Sequence, residues 1–179
     1  VDENNALHAF AHADGGYHLM GVVLSAASCN KWFMDEILKT KDYAGEQALI
    51  DEEKLGRNSV FYLPYLMGER SPINDTDARA TFVGMSMDTT RADFVQAVLE
   101  GVAFAIRDSF EVAKSLGLHI ERSRICGGGA KSPLWKKIMA NVLGIPLECV
   151  ASEQGPGLGG AMLAMVACGA YDSVADAAE

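Results

Sequence analysis

The segment from Ile125 to Trp135, ICGGGAKSPLW, holds the residues of this chain best suited to handle a ligand. A short apolar run enters three glycines, Gly127, Gly128 and Gly129, followed by Ala130, Lys131 and the pair Ser132-Pro133. Serine at an N-cap with proline at the first helical position predicts a strand, a tight loop and a helix start. Without Cβ atoms the glycines let backbone N–H groups approach a bound molecule, and the helix N-terminus behind them carries partial positive charge. Such a turn suits a phosphate or the sugar edge of a nucleotide. Equally, a glycine-rich strand-to-helix connection can be a tight turn and nothing more. Spacing excludes two phosphate motifs: no Gly-Lys-Ser/Thr closes the loop, and the third glycine of the dinucleotide fingerprint is missing.

Other residues invite chemistry less strongly. The loop Gly68-Glu69-Arg70-Ser71-Pro72 follows an aromatic run, where functional side chains tend to be placed, although a solvated turn with a surface Glu-Arg ion pair fits it as well. Asn74-Asp75-Thr76-Asp77 lacks the glycine and distal glutamate of a calcium loop. His8 and His12 share a face only in a helix, and no third ligand accompanies them, so they read as ordinary strand or loop histidines. Cys29, Cys126, Cys149 and Cys168 are widely spaced in apolar segments and read as small buried hydrophobes of a reducing cytoplasm.

The elements that must position these residues follow from periodicity. The N-terminal stretch predicts two extended segments joined near Asp14-Gly15-Gly16, and Ser25 to Lys39 predicts a helix with Trp32, Phe33, Ile37 and Leu38 inward. Thr40 to Asn58 is polar and acidic, a short helix and loops with no evident chemistry. Ser59 to Met67 predicts a buried strand ending near Pro64, and Arg79 to Met87 a further strand. Thr90 with Asp93 opens a long helix in capping-box fashion, closed by Gly117, with Glu100 and Arg107 on its solvated side. Ser123 to Cys126 is the strand feeding the glycine loop, Pro133 to Leu143 the helix after it, and Leu147 to Ala151 the next strand. Glu153 to Gly160 then turns into a helix whose Gly159, Gly160, Ala161 and Ala164 form a flat face suited to tight packing on a sheet. Strand and helix alternate over the last hundred or so residues, which argues for an α/β sheet with helices on both faces.

With 179 residues the chain is long enough for one full core; 49% of it is apolar and 22% charged, and no apolar run could span a bilayer. The net charge of −9 and the lack of a basic stripe argue against nucleic acid or an anionic membrane as partner.

Five stretches in register, MGVVLSAASCNKW, FYLPYLMGERSP, LEGVAFAIRDSFE, ICGGGAKSPLWKKIMANVLGIPLE and GPGLGGAMLA, together resemble the sugar kinases of the FGGY type, within the actin, hexokinase and Hsp70-like ATPase superfamily. The resemblance covers essentially the whole chain and corresponds to the C-terminal half of such a kinase. It implies that residues 1–179 are its ATP-binding domain, α/β and ribonuclease H-like, with a mixed sheet and helices on both faces, incomplete at both ends. The implied activity is ATP-dependent phosphorylation of a ketopentose in the cytoplasm, with Mg²⁺ bridging the phosphates in a cleft between two such domains.

By this resemblance GGGAKS is the adenosine motif, putting Gly127, Gly128, Gly129, Ala130 and Ser132 against the nucleotide. The helix start at Ser25 to Ser28, with Lys31 one turn on, matches the opposite wall and adds Ala27 and Lys31. Gly68, Glu69 and Arg70 match a loop at the cleft. The family's Asp-x-Gly-Thr loop, sugar-binding residues and catalytic aspartate belong upstream and no such motif occurs here, so no catalytic residue or metal ligand is expected in this chain. Val1 is expected to follow the domain's first two strands and Glu179 to precede its terminal helix. The sugar would then be engaged through the N-terminal domain, and the chain alone would be inactive. Exposed strand edges would favour self-association, a homodimer included.

Overall fold

The computed structural model of the chain describes residues 2–150 and 155–178. Strands β1 (His8–Ala11) and β2 (Tyr17–Met20) form an antiparallel hairpin around the Asp14-Gly15-Gly16 turn. Helix α1 (Ala26–Trp32) runs on as a wider π-helical turn over Phe33–Leu38, so the helix predicted over Ser25 to Lys39 is present with a change of pitch. Short helix α2 (Tyr43–Ala48) is capped by Asp42, whose carboxylate accepts from Gly45 N–H. Strands β3 (Phe61–Leu63) and β4 (Thr81–Val83) pair antiparallel, Tyr62 opposite Phe82.

Helix α3 (Arg91–Ser115) is the centre of the molecule. Its predicted capping box forms: Thr90 Oγ1 accepts from Asp93 N–H, and Asp93 Oδ2 accepts from Thr90 N–H at 2.7 Å. Val95, Val98, Leu99, Val102 and Ala103 are buried against Cys29 of α1 and Phe33 of the π-helical turn after it, Val60 and Tyr62 around β3, and Trp135 and Ile138 of the next helix. Gly101 explains how closely α3 lies on β3, because a Cβ there would stand 2.2 Å from the Tyr62 carbonyl oxygen. A glycine within a helix ordinarily costs about 0.5–1 kcal/mol, and here it admits a strand that alanine would exclude.

Strand β5 (Ser123–Ile125), helix α4 (Pro133–Leu143) and strand β6 (Leu147–Cys149) form a β-α-β unit, the strands parallel with Ile125 opposite Cys149. A parallel pair requires such a crossover. Helices α5 (Pro156–Ala167) and α6 (Val174–Ala178) follow and pack on each other. Among the described residues the strands thus form three separate two-stranded ladders, two antiparallel and one parallel, with α3 packed on β3 and on α4. No helix of the described residues is long and apolar enough to cross a membrane.

Several expectations need correction. The run from Ser59 to Met67 is not buried throughout: Val60, Tyr62 and Pro64 face the core while Phe61 and Leu63 face out, because only one side of this ladder meets α3. Glu100 is not solvated; at 6% exposure its Oε1 accepts from Gly56 N–H at 2.9 Å and Gln96 Nε2 at 2.8 Å, pinning the loop before β3 to α3. Arg107 also works structurally, donating to the Val142 carbonyl at the end of α4. Of the four cysteines only Cys29 is buried; Cys126 and Cys149 stand at the open ends of a two-stranded ladder and Cys168 follows α5. Among the described residues the flat face of Gly159, Gly160, Ala161 and Ala164 is uncovered at its glycines, where a Cβ would meet nothing within 4 Å, and no residue of α5 is buried. Ala151, Glu153 and Gln154, assigned to a strand end and the second glycine turn, lie outside the described residues.

Candidate functional site

The glycine loop is held from behind. Gly127 has φ of 82° and turns the chain out of β5 into a 3₁₀ turn over Gly128–Lys131, a left-handed conformation that favours glycine. Ser132 then caps α4, its Oγ accepting from Trp135 N–H at 3.0 Å, with Pro133 at the first helical position. The Trp135 ring turns into the core and its Nε1–H donates to the Leu99 carbonyl at 3.0 Å, so the loop is anchored to the middle of α3. Gly129 sits on that ring: a Cβ would lie 3.2 Å from its carbons. Gly128 differs, because a Cβ there would meet nothing within 4 Å.

The space facing Gly128 is an open cavity of about 620 Å³, in the size range of small-molecule sites. Three elements wall it: the glycine loop with the start of α4, the first turns of α1, and α2. Gly128, Gly129, Ser132, Ala27 and Lys31 all line it. Gly127 and Ala130 do not; they face a second hollow of about 850 Å³ between the ends of β5 and β6, shared with Cys149 and Pro156, and Gly128 and Lys131 border both spaces. Lys31 is committed to Asp35 one turn on, and that hydrogen bond raises the lysine's pKa and lowers the carboxylate's.

Gly68, Glu69 and Arg70 are not brought to this cavity. Glu69 is 3% exposed, and its Oε1 accepts from Leu24 N–H at 3.0 Å and Arg70 N–H at 2.8 Å. Ser71 N–H donates to the Val22 carbonyl at 3.0 Å, so the loop clasps the segment leading into α1. The surface Glu-Arg pair allowed by the sequence is therefore replaced by an internal carboxylate, and of the three residues only Arg70 is exposed.

Residues 2–168 match the FGGY family of carbohydrate kinases, C-terminal domain. The chain belongs to the FGGY family. The xylulose kinase of Staphylococcus epidermidis is 32% identical over 174 residues, which is 97% of this chain and 35% of that protein. The crystal structure of a xylulose-type kinase from Brucella ovis superposes with a TM-score of 0.86 at 36% identity, covering 97% of this chain and 36% of the other. The structure of Plasmodium falciparum glycerol kinase with ADP superposes with a TM-score of 0.74 at 26% identity over 88% of this chain and 31% of the other. The α/β fold of the actin and hexokinase type is thus the fold of this FGGY domain, which spans about 35% of the length of the relatives it matches.

Three polar residues of the FGGY domain's cavity carry no motif signal: Asn30, Tyr43 and Gln47. Gln47 Oε1 accepts from Ser132 Oγ at 2.6 Å, tying α2 to the glycine loop. The signal for α2 was Asp42 as a cap ahead of Tyr43 and Gln47, which share a face at four-residue spacing.

Proposed function

We propose that this chain is the ATP-binding part of a carbohydrate kinase that transfers the γ-phosphate of ATP to a hydroxyl of D-xylulose, giving D-xylulose 5-phosphate. The observation that carries this reading is the cavity at Gly128, where the adenosine motif and the first turns of α1 face each other across a space open to a ligand. The adenosine would lie between Gly128 and Gly129 on one side and Ala27 and Lys31 on the other, with α2 as the third wall. Gly128 leaves room for close approach of the nucleotide, while Ser132 positions the loop through its bonds to Trp135 and Gln47. Gly127 and Ala130 shape the turn from its other side.

The cavity lining includes no carboxylate, and among the described residues no cluster of three His, Cys, Asp or Glu side chains could hold a metal. A Mg²⁺ ligand set therefore does not fit this part of the site. Phosphoryl transfer depends on positioning and on a base that activates the attacking hydroxyl. This chain supplies the nucleotide half of that arrangement, and the sugar and the base belong to the N-terminal domain of the complete kinase.

A substrate panel tests the proposal. With ATP, the complete kinase containing this domain phosphorylates D-xylulose with a higher kcat/KM than gluconate, ribulose or glycerol, and the chain alone turns over none of them. Turnover by the chain alone, or a preference for another acceptor, would contradict it.

A further inference from the structure

One large side chain at the Gly128 cavity takes no part in packing the core. Tyr43, the first residue of α2, is half-buried, yet it lies outside the apolar core cluster and its ring meets no other ring among the described residues. Its place at the cavity is set from two directions. Gln47, one turn on and so on the same face of α2, accepts from Ser132 Oγ of the glycine loop at 2.6 Å, which turns that face to the cavity. Lys31 lies on the α1 wall; Asp35 first raises its pKa, and Tyr43 contributes as well, so the Tyr43 hydroxyl reaches from α2 toward α1.

The other walls suit contact with a flat ring. Gly128 and Gly129 bring no side chain, and Ala27, Ala44 and Pro133 bring small apolar ones. Acceptors for the edge of a base are scarce: Gln47 Oε1 takes the Ser132 proton, and Asn30 Oδ1 is sealed from the cavity. A tyrosine ring, by contrast, supplies a broad apolar face while its hydroxyl stays in polar surroundings. Stacking on such a face is open to any base, because every base has a π face.

We propose that Tyr43 is the stacking platform for the base at this site, so that a purine nucleotide is held by the face of its base and not by its edge substituents. The inference rests on the reading of the cavity as the nucleotide site. The ring does the holding and the hydroxyl is dispensable. The bond between Gln47 and Ser132 keeps the platform in register with the glycine loop. Because an adenine and a guanine offer the same kind of π face, the site distinguishes them weakly.

The test is calorimetric titration of the chain with ATP and with GTP, in the wild type, Tyr43→Phe and Tyr43→Leu. The wild type binds the two nucleotides within about threefold of each other, and Tyr43→Phe, which keeps the ring, stays within about twofold of the wild type for both. Tyr43→Leu keeps apolar bulk without a π face and weakens both by a similar factor of at least about five, the low end of what stacking one base contributes. Tyr43→Trp adds a readout that does not depend on the leucine variant folding: the new indole's fluorescence falls as ATP is added, beyond any change in the wild type. With ATP bound by the wild type, each of four results overturns the stacking role and leaves the nucleotide site standing. These are an unchanged ATP affinity in Tyr43→Leu, an equal loss in Tyr43→Phe, a strong preference for one nucleotide, and no added quenching in Tyr43→Trp. Binding of neither nucleotide by the wild type overturns both readings.

Discussion

Replacing Ser132 by alanine removes two bonds from one atom, and their contributions can be separated. As N-cap of α4, Ser132 Oγ satisfies Trp135 N–H at 3.0 Å, and it also donates to Gln47 Oε1 at 2.6 Å. Loss of a serine cap costs about 1 kcal/mol, and loss of a neutral, partly buried hydrogen bond about another 1 kcal/mol. Ser132→Ala is thus expected to destabilise the chain by about 2 kcal/mol and Gln47→Leu by about 1 kcal/mol. In the double variant the shared bond is lost once, so the total stays near 2 rather than 3 kcal/mol and the coupling is about 1 kcal/mol. Urea unfolding followed by tryptophan fluorescence, with midpoints compared at equal slope, measures all four corners of the cycle. A Ser132→Ala cost under about 0.5 kcal/mol, or additivity within about 0.3 kcal/mol, would refute the idea that this pair holds α2 against the loop.

Two further outcomes concern residues away from the cavity. Glu69→Ala strips the acceptor from Leu24 N–H and Arg70 N–H and should cost about 3 kcal/mol in urea, with Glu69→Gln costing about half of that; equal stabilities would show that the clasp on α1 is unimportant. Burial pushes the Cys29 thiol up from 9.0 to about 11, with the buried Tyr62 hydroxyl donating to its sulfur. The unfolded thiol ionises first, so the stability from Cys29 is full below pH 9.0 and lost as pH rises through about 11. At pH 8 a thiol reagent should therefore react quickly with the exposed Cys126, Cys149 and Cys168 and slowly with Cys29, and four equal rates would contradict the burial.

Local signals carried much of this architecture. The capping box at Thr90 and Asp93 and the Ser132-Pro133 helix start are written in short-range patterns whose bonding needs are met within a few residues, and the β-α-β run is written in the order of its segments. The same is true of the turn at Gly127, where a left-handed φ calls for glycine. What local pattern could not supply was long-range pairing of polar side chains. Glu69 and Glu100 look like surface carboxylates by composition, yet each is buried because it accepts from backbone N–H groups 45 and 44 residues away. Asn30 belongs to the helix matched to the nucleotide wall through Ala27 and Lys31 but carries no motif of its own, and Gln47 belongs to a segment read as a polar surface stretch. Only the folding of α2 against the glycine loop brings them to one cavity.

The central claim is that the space at Gly128 receives the nucleotide. Gly128 is suited to testing it, since its backbone lies outside the left-handed region and a Cβ there would meet no protein atom within 4 Å. Valine at this position fills the ligand's space while sparing the fold, whereas at Gly129 it would strike the Trp135 ring. Calorimetric titration of the wild type and Gly128→Val with ATP is the direct measurement. The account predicts binding by the wild type and at least about a tenfold loss in the variant at an unchanged urea midpoint. Equal ATP affinity in the two proteins would contradict it.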